Sequence, residues 1–122
     1  MMDGWFGEAG ELLFEIDLVA ADGERFPVEV LLDTGFTTGW LALDTQDCMS
    51  LGWLMTESER VMQTARGEEY FDIYEGRVVV DGQEYVIPVL ARSGIPESIL
   101  GLQWLKMLPL AVNFGAGLLT LG

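Results

Sequence analysis

Apolar residues in this chain recur at every second position, in short runs broken by Gly, Asp and Pro. That period is the period of a strand, and it restricts the chain to a β-rich fold. In the run LLFEIDLVA, Leu12, Phe14, Ile16 and Leu18 share one face, and Leu13, Glu15, Asp17 and Val19 share the other. The run RFPVEVLLD places Phe26, Val28, Val30 and Leu32 together, with Pro27 assigned to an edge or bulge because it has no N–H for a ladder. Asp22-Gly23 and Asp81-Gly82 read as hairpin turns, since both residue types tolerate positive φ. Between them, ERVMQT and EEYFDIYEGRVVV read as two extended runs around a break at Ala65-Arg66-Gly67. Helix signals are few. Asp44 can N-cap a turn or two over DTQDCMSL, closed by Gly52, and LQWLKML near the C-terminus is the best helix candidate. The expectation is an all-β, closed barrel-like domain with one short C-terminal helix, a single domain over residues 1–122.

Composition narrows the chemistry. Twenty Asp and Glu against six Lys and Arg give a formal charge of −14. Such a surface repels phosphate backbones and anionic lipid, so neither nucleic acid nor membrane is expected as a partner. The chain has no histidine, which excludes Ser-His-Asp and Cys-His catalysis and zinc sites with imidazole ligands. The one cysteine, Cys48, excludes an intrachain disulfide and is read as a core residue. No metal and no cofactor are expected, which leaves carboxylates, hydroxyls and backbone groups. The N-terminal MMDGWFGEAGE is acidic where a signal peptide is basic. The apolar stretch from Met107 to Gly122 is broken by Pro109, Asn113 and glycines, short of the roughly 20 residues a spanning helix needs. The expectation is a soluble, cytoplasmic protein.

The run LLDTGFTTGWLAL, residues 31–43, places Asp33 where a strand leaves the core, followed by Thr34 and Gly35. Further on, Ile99-Leu100-Gly101 precedes the helix candidate at Leu102-Gln103-Trp104-Leu105. With these motifs in this order, the chain resembles the retropepsin-like aspartic proteases over about residues 12–121. In that family the apolar-apolar-Asp-Thr/Ser-Gly motif supplies the catalytic carboxylate, and a later apolar-apolar-Gly crosses behind it. A β-hairpin flap lies between the two, and here Thr64, Ala65, Arg66 and Gly67 stand in its place as substrate-binding residues. Phe36 follows the Asp-Thr-Gly where the viral enzymes usually carry a small residue, which resembles a bacterial branch with an aromatic at that position.

The resemblance implies an aspartic endopeptidase acting on peptide or protein substrates. Hydrolysis without metal or covalent intermediate needs one group to take a proton from water and another to give one to the carbonyl. Two adjacent carboxylates that hold one proton between them do both. One Asp-Thr-Gly per chain then requires a homodimer with Asp33 of each chain near a two-fold axis. Gly35 would bring its N–H to a carboxylate, and the Thr34 hydroxyl would bond across the axis. If the viral arrangement holds, Leu118 to Leu121 supply a dimer strand, with Trp5 and Phe6 adding to it. The acidic pair Glu68-Glu69 beside the flap tip reads as a solvated face or as a preference for basic substrates. The alternative to an enzyme is a catalytically silent module of the same fold that binds a peptide or partner in the same groove, the reading that Phe36 favours.

Overall fold

The computed structural model describes every residue except Ala65, and Thr64 by its backbone alone. In chain order the strands are β1 (Met2–Asp3), β2 (Trp5–Phe6), β3 (Leu12–Val19), β4 (Arg25–Leu32) and β5 (Leu41–Asp44). A short helix α1 (Thr45–Ser50) precedes β6 (Leu54–Thr64), β7 (Gly67–Val80), β8 (Gln83–Arg92) and β9 (Ile99–Leu100). After a 3₁₀ turn at Leu102–Lys106 come β10 (Leu110–Asn113) and β11 (Leu118–Leu121). The main sheet runs β2-β3-β4-β9-β5-β8-β7-β6, and a further pairing of β3 with β7 joins six of its strands into a ring. The all-β expectation holds.

The two Asp-Gly signals make different turns. At Asp81-Gly82 both residues have positive φ, +52° and +77°, and Val80 faces Gln83, the two-residue turn whose twist matches the strands. At Asp22-Gly23 only Gly23 is left-handed, because Ala20 N–H donates to Glu24 O and lengthens the loop to three residues. The alternation in β4 also holds, but burial fades along it. Val30 and Leu32 are buried while Phe26 is exposed, because β9 pairs only with Leu31 and Leu32 and leaves Pro27 on an open edge.

One apolar core fills the ring. Phe14, Ile16, Val30, Leu41, Leu43, Val78, Val89 and Leu100 meet Trp104, whose indole N–H donates to Trp40 O at 2.8 Å. Trp104 also meets Trp40 and Tyr85 edge to face, with centroids 4.9 and 5.1 Å apart. The LQWLKML segment reads as a helix but forms only the 3₁₀ turn. Leu102 and Gln103 donate their N–H groups to Phe36 O and Gly39 O, Trp104 O accepts from both Met107 N–H at 3.1 Å and Leu108 N–H at 2.8 Å, and Pro109, which has no N–H to give, ends the segment there.

Helix α1 follows its sequence signals. Asp44 Oδ1 accepts the Gln46 N–H at 2.9 Å, and Gly52 takes φ +73° after the last turn. The helix buries Cys48 completely, and burial, with Asp47 and Asp44 beside it, pushes the thiol up to about 12. A thiolate fraction near ~10⁻⁴ at pH 8 follows, against about a quarter for an ordinary cysteine. Native protein should therefore resist iodoacetamide and label only as it unfolds; mass spectrometry across a urea series checks this, and rapid labelling without denaturant would contradict it.

The expected dimer strand is not available for that role. β11 pairs with β1 on one side and β10 on the other, with Leu119 and Leu121 buried, so both its edges are used within the chain. Trp5 and Phe6 pair with Leu13 and Leu12, and the Phe6 ring lies 4.4 Å from that of Phe114. Free edges of this small sheet belong to β1 and β10 instead.

Candidate active site

Asp33 lies one residue beyond the end of β4, where that strand pairs with β9. β4 runs parallel to β9, with Leu31 beside Ile99 and Leu32 beside Leu100. Leu31 N–H donates to Ser98 O and Asp33 N–H to Leu100 O, both at 2.9 Å. The backbone of Asp33 is thus held by β9, and its half-buried carboxylate is placed by the sheet and not by a free loop.

The next residues turn back on the carboxylate. Gly35 N–H donates to Asp33 Oδ1 at 2.8 Å, and Phe36 N–H donates to Asp33 O at 3.1 Å. A Cβ on Gly35 would stand 3.0 Å from Asp33 Oδ1, tight contact against the very atom that accepts the bond. Thr34 and Gly35 form the exposed tip. Each chain therefore presents one carboxylate, one directed N–H and one accessible threonine at the same place.

Behind the tip, the loop and the 3₁₀ turn interlock. Gly101 N–H donates to Trp40 O at 3.0 Å, and the Gln103 side-chain amide donates to Thr37 O at 2.7 Å. Gly101 sits against the Gly39 carbonyl, and the Phe36 ring lies over both glycines. Phe36 also packs on a second apolar cluster built on Ala42, Ile73 and Leu90, which Met62, Phe71, Ile95 and Ile99 join. The aromatic residue after Asp-Thr-Gly thus ties the Asp33–Gly35 turn to the β6–β7 hairpin through Met62, Phe71 and Ile73.

That hairpin carries the four residues read as substrate-binding. Thr64 and Gly67 face each other across its end, Gly67 at φ +101°, and Arg66 is exposed in the turn, while Ala65 lies outside the described residues. β6 is irregular, with register shifts between Met55 and Glu57 and between Glu57 and Arg60, and Glu59 at φ +53° donates its N–H to Asp72 Oδ1. The pair Glu68-Glu69 does not act as one solvated face. Glu69 is held by Arg92 at 2.7 Å, and Arg92 also stands over the Phe71 ring. Asp44, read only as a cap, has a second task that the sequence hid: its Oδ2 accepts the Gly94 N–H at 2.9 Å and fixes the loop leading to β9.

Among the described residues, no three His, Cys, Asp or Glu side chains converge as metal ligands, and no helix is long and apolar enough to cross a membrane.

No protein-family model and no curated protein sequence matches the chain. Solved structures do. A retropepsin-like aspartic protease from Rickettsia conorii superposes with a TM-score of 0.67 at 20% identity, covering 98% of this chain and 88% of its own. EIAV protease, solved with the inhibitor HBY-793, gives a TM-score of 0.63 at 20% identity, covering 83% of this chain and 90% of its own. At that identity the likeness is one of fold.

Proposed function

From the retropepsin-like fold of this chain, we propose that it is a homodimeric aspartic endopeptidase hydrolysing peptide bonds with two Asp33 carboxylates, one per chain. The observation that carries this reading is the hold on Asp33: its backbone is fixed by Leu100 O while its carboxylate accepts the Gly35 N–H. A carboxylate so positioned and still partly open to solvent suits proton transfer.

Brought together on a two-fold axis, the two carboxylates share one proton, because mutual repulsion prevents both from ionising. The ionised one takes a proton from water as the water oxygen bonds to the substrate carbonyl carbon. Its protonated partner gives a proton to the carbonyl oxygen, and a tetrahedral diol results. Protonation of the amide nitrogen and loss of a diol proton to a carboxylate then break the C–N bond. Thr34 hydrogen-bonds across the axis, and Thr64, Ala65, Arg66 and Gly67 cover an extended peptide that pairs with a strand edge. Phe36 gives the silent-binder alternative no separate support, since its ring is taken up in packing on Gly39 and Gly101.

Mixing chains tests the shared site. Wild type exchanged with a ninefold excess of Asp33→Asn chains should keep about one-tenth of its activity per wild-type chain, by random pairing in a two-fold dimer. Unchanged activity per wild-type chain would show that one chain holds a complete site.

A further inference from the structure

Resting on that peptidase reading, we propose that the cavity on the outer face of β3 and β4 is a substrate subsite for a basic side chain, lysine or arginine, close to the scissile bond. The cavity measures about 460 Å³. Its floor is apolar: Leu13 and Leu31 face each other across the two strands. Its rim carries Glu29 from β4 and Glu97 from the segment that runs alongside β4 into β9, with Glu11 at one end.

Position ties the cavity to Asp33. Successive side chains of a strand alternate faces, so Glu29, Leu31 and Asp33 lie on one side of β4 and its continuation. At about 3.4 Å per residue, Leu31 is roughly 7 Å and Glu29 roughly 14 Å from Asp33 along the strand. An extended peptide has the same rise, so the residue entering the cavity lies within about four of the cut bond.

Charge selects the occupant. Lysine and arginine combine an aliphatic stem, which the leucine floor accepts, with a cationic tip at the height of the rim. Glu29 and Glu97 are exposed, whereas Glu11 already accepts the Ala9 N–H at 2.7 Å. Among the described residues no cation lines the cavity; Arg60, Arg77 and Arg92 pair with Glu57, Glu84 and Glu69 elsewhere. An acidic substrate side chain meets like charge there and is rejected.

The test separates the cavity from the overall negative charge of the protein. Wild type is given peptide libraries in which Arg, or its neutral isostere citrulline, is fixed at one position in turn, and cut sites are read by mass spectrometry. In parallel, the same peptides are titrated into the Asp33→Asn protein by fluorescence anisotropy. Arg should exceed citrulline by about tenfold at one position within four residues of the cut, as two partly screened ion pairs allow. Glu29→Gln with Glu97→Gln should abolish that preference, and Glu24→Gln with Glu75→Gln, an equal charge change elsewhere, should keep it. Cleavage without a positional Arg preference, or with one that survives Glu29→Gln/Glu97→Gln, overturns the subsite and leaves the peptidase standing. If wild type cuts nothing, the peptidase reading falls, and equal anisotropy for Arg and citrulline peptides removes the subsite as well.

Discussion

The Asp33→Asn chain is expected to fold like the wild type and to hydrolyse no peptide. An asparagine Oδ1 can still accept the Gly35 N–H, now bonded at 2.8 Å, and the backbone bond from Asp33 to Leu100 O does not involve the side chain. The turn and the parallel register of β4 with β9 therefore persist. What disappears is the exchangeable proton, and in a symmetric dimer it disappears from both positions at once. Loss of one general acid or base commonly lowers a rate by 10²–10⁴-fold, so the loss here should be on the order of 10⁴ or more. Circular dichroism and a thermal melt check the fold, and turnover of a peptide library checks the chemistry. Hydrolysis by this variant at more than a hundredth of the wild-type rate would remove Asp33 from the mechanism.

What the sequence made legible was local. Asp81-Gly82 marks its hairpin because two adjacent residues must both adopt positive φ, and few other pairs do so without strain. Asp44 marks α1 because its cap bond closes within two residues. The meeting of Asp33 with Leu100 is different. Parallel pairing of β4 with β9 leaves no local trace, and only the order of the two motifs, read as a resemblance, anticipated it. The motif pair therefore marks where the Asp33-Thr34-Gly35 turn meets Leu100 O.

Features that depend on distant partners stayed hidden. Helical spacing in LQWLKML gives no sign that Phe36 O and Gly39 O claim its first N–H groups. The residues Leu118–Leu121 read as a dimer strand until β1 and β10 are seen on either side. Glu11, Glu29 and Glu97 are far apart in the sequence, and strand pairing and the Leu31–Ser98 bond bring them around one cavity. Even Glu68-Glu69, adjacent in sequence and plausible as an acidic patch, is divided by Arg92, which pairs with Glu69. Long-range pairing determines which charges a substrate meets, and composition supplies only their number.

The interlock of Phe36, Gly39 and Gly101 predicts two glycine substitutions with unlike remedies. A Cβ on Gly101 would collide with the Gly39 carbonyl, a backbone group that cannot move unless the Asp33–Trp40 loop moves with it. Gly101→Ala should cost on the order of 3 kcal/mol, the upper range for overpacking, and lower the melting temperature by roughly 10 °C in a domain of this size. A Cβ on Gly39 would collide with the Phe36 ring instead, a side chain that can be removed. Gly39→Ala should therefore be severe beside Phe36 and mild in the Phe36→Ala background, with a coupling on the order of 1–3 kcal/mol. Urea denaturation of the wild type, both single variants and the double variant measures that coupling. Gly101→Ala should gain much less from Phe36→Ala, since the carbonyl obstacle remains. Additive costs at Gly39 and Phe36 would mean that the ring does not rest on the glycine. A positive coupling would explain how a phenylalanine follows Asp-Thr-Gly in this fold: the two glycines behind it leave the room that its ring occupies.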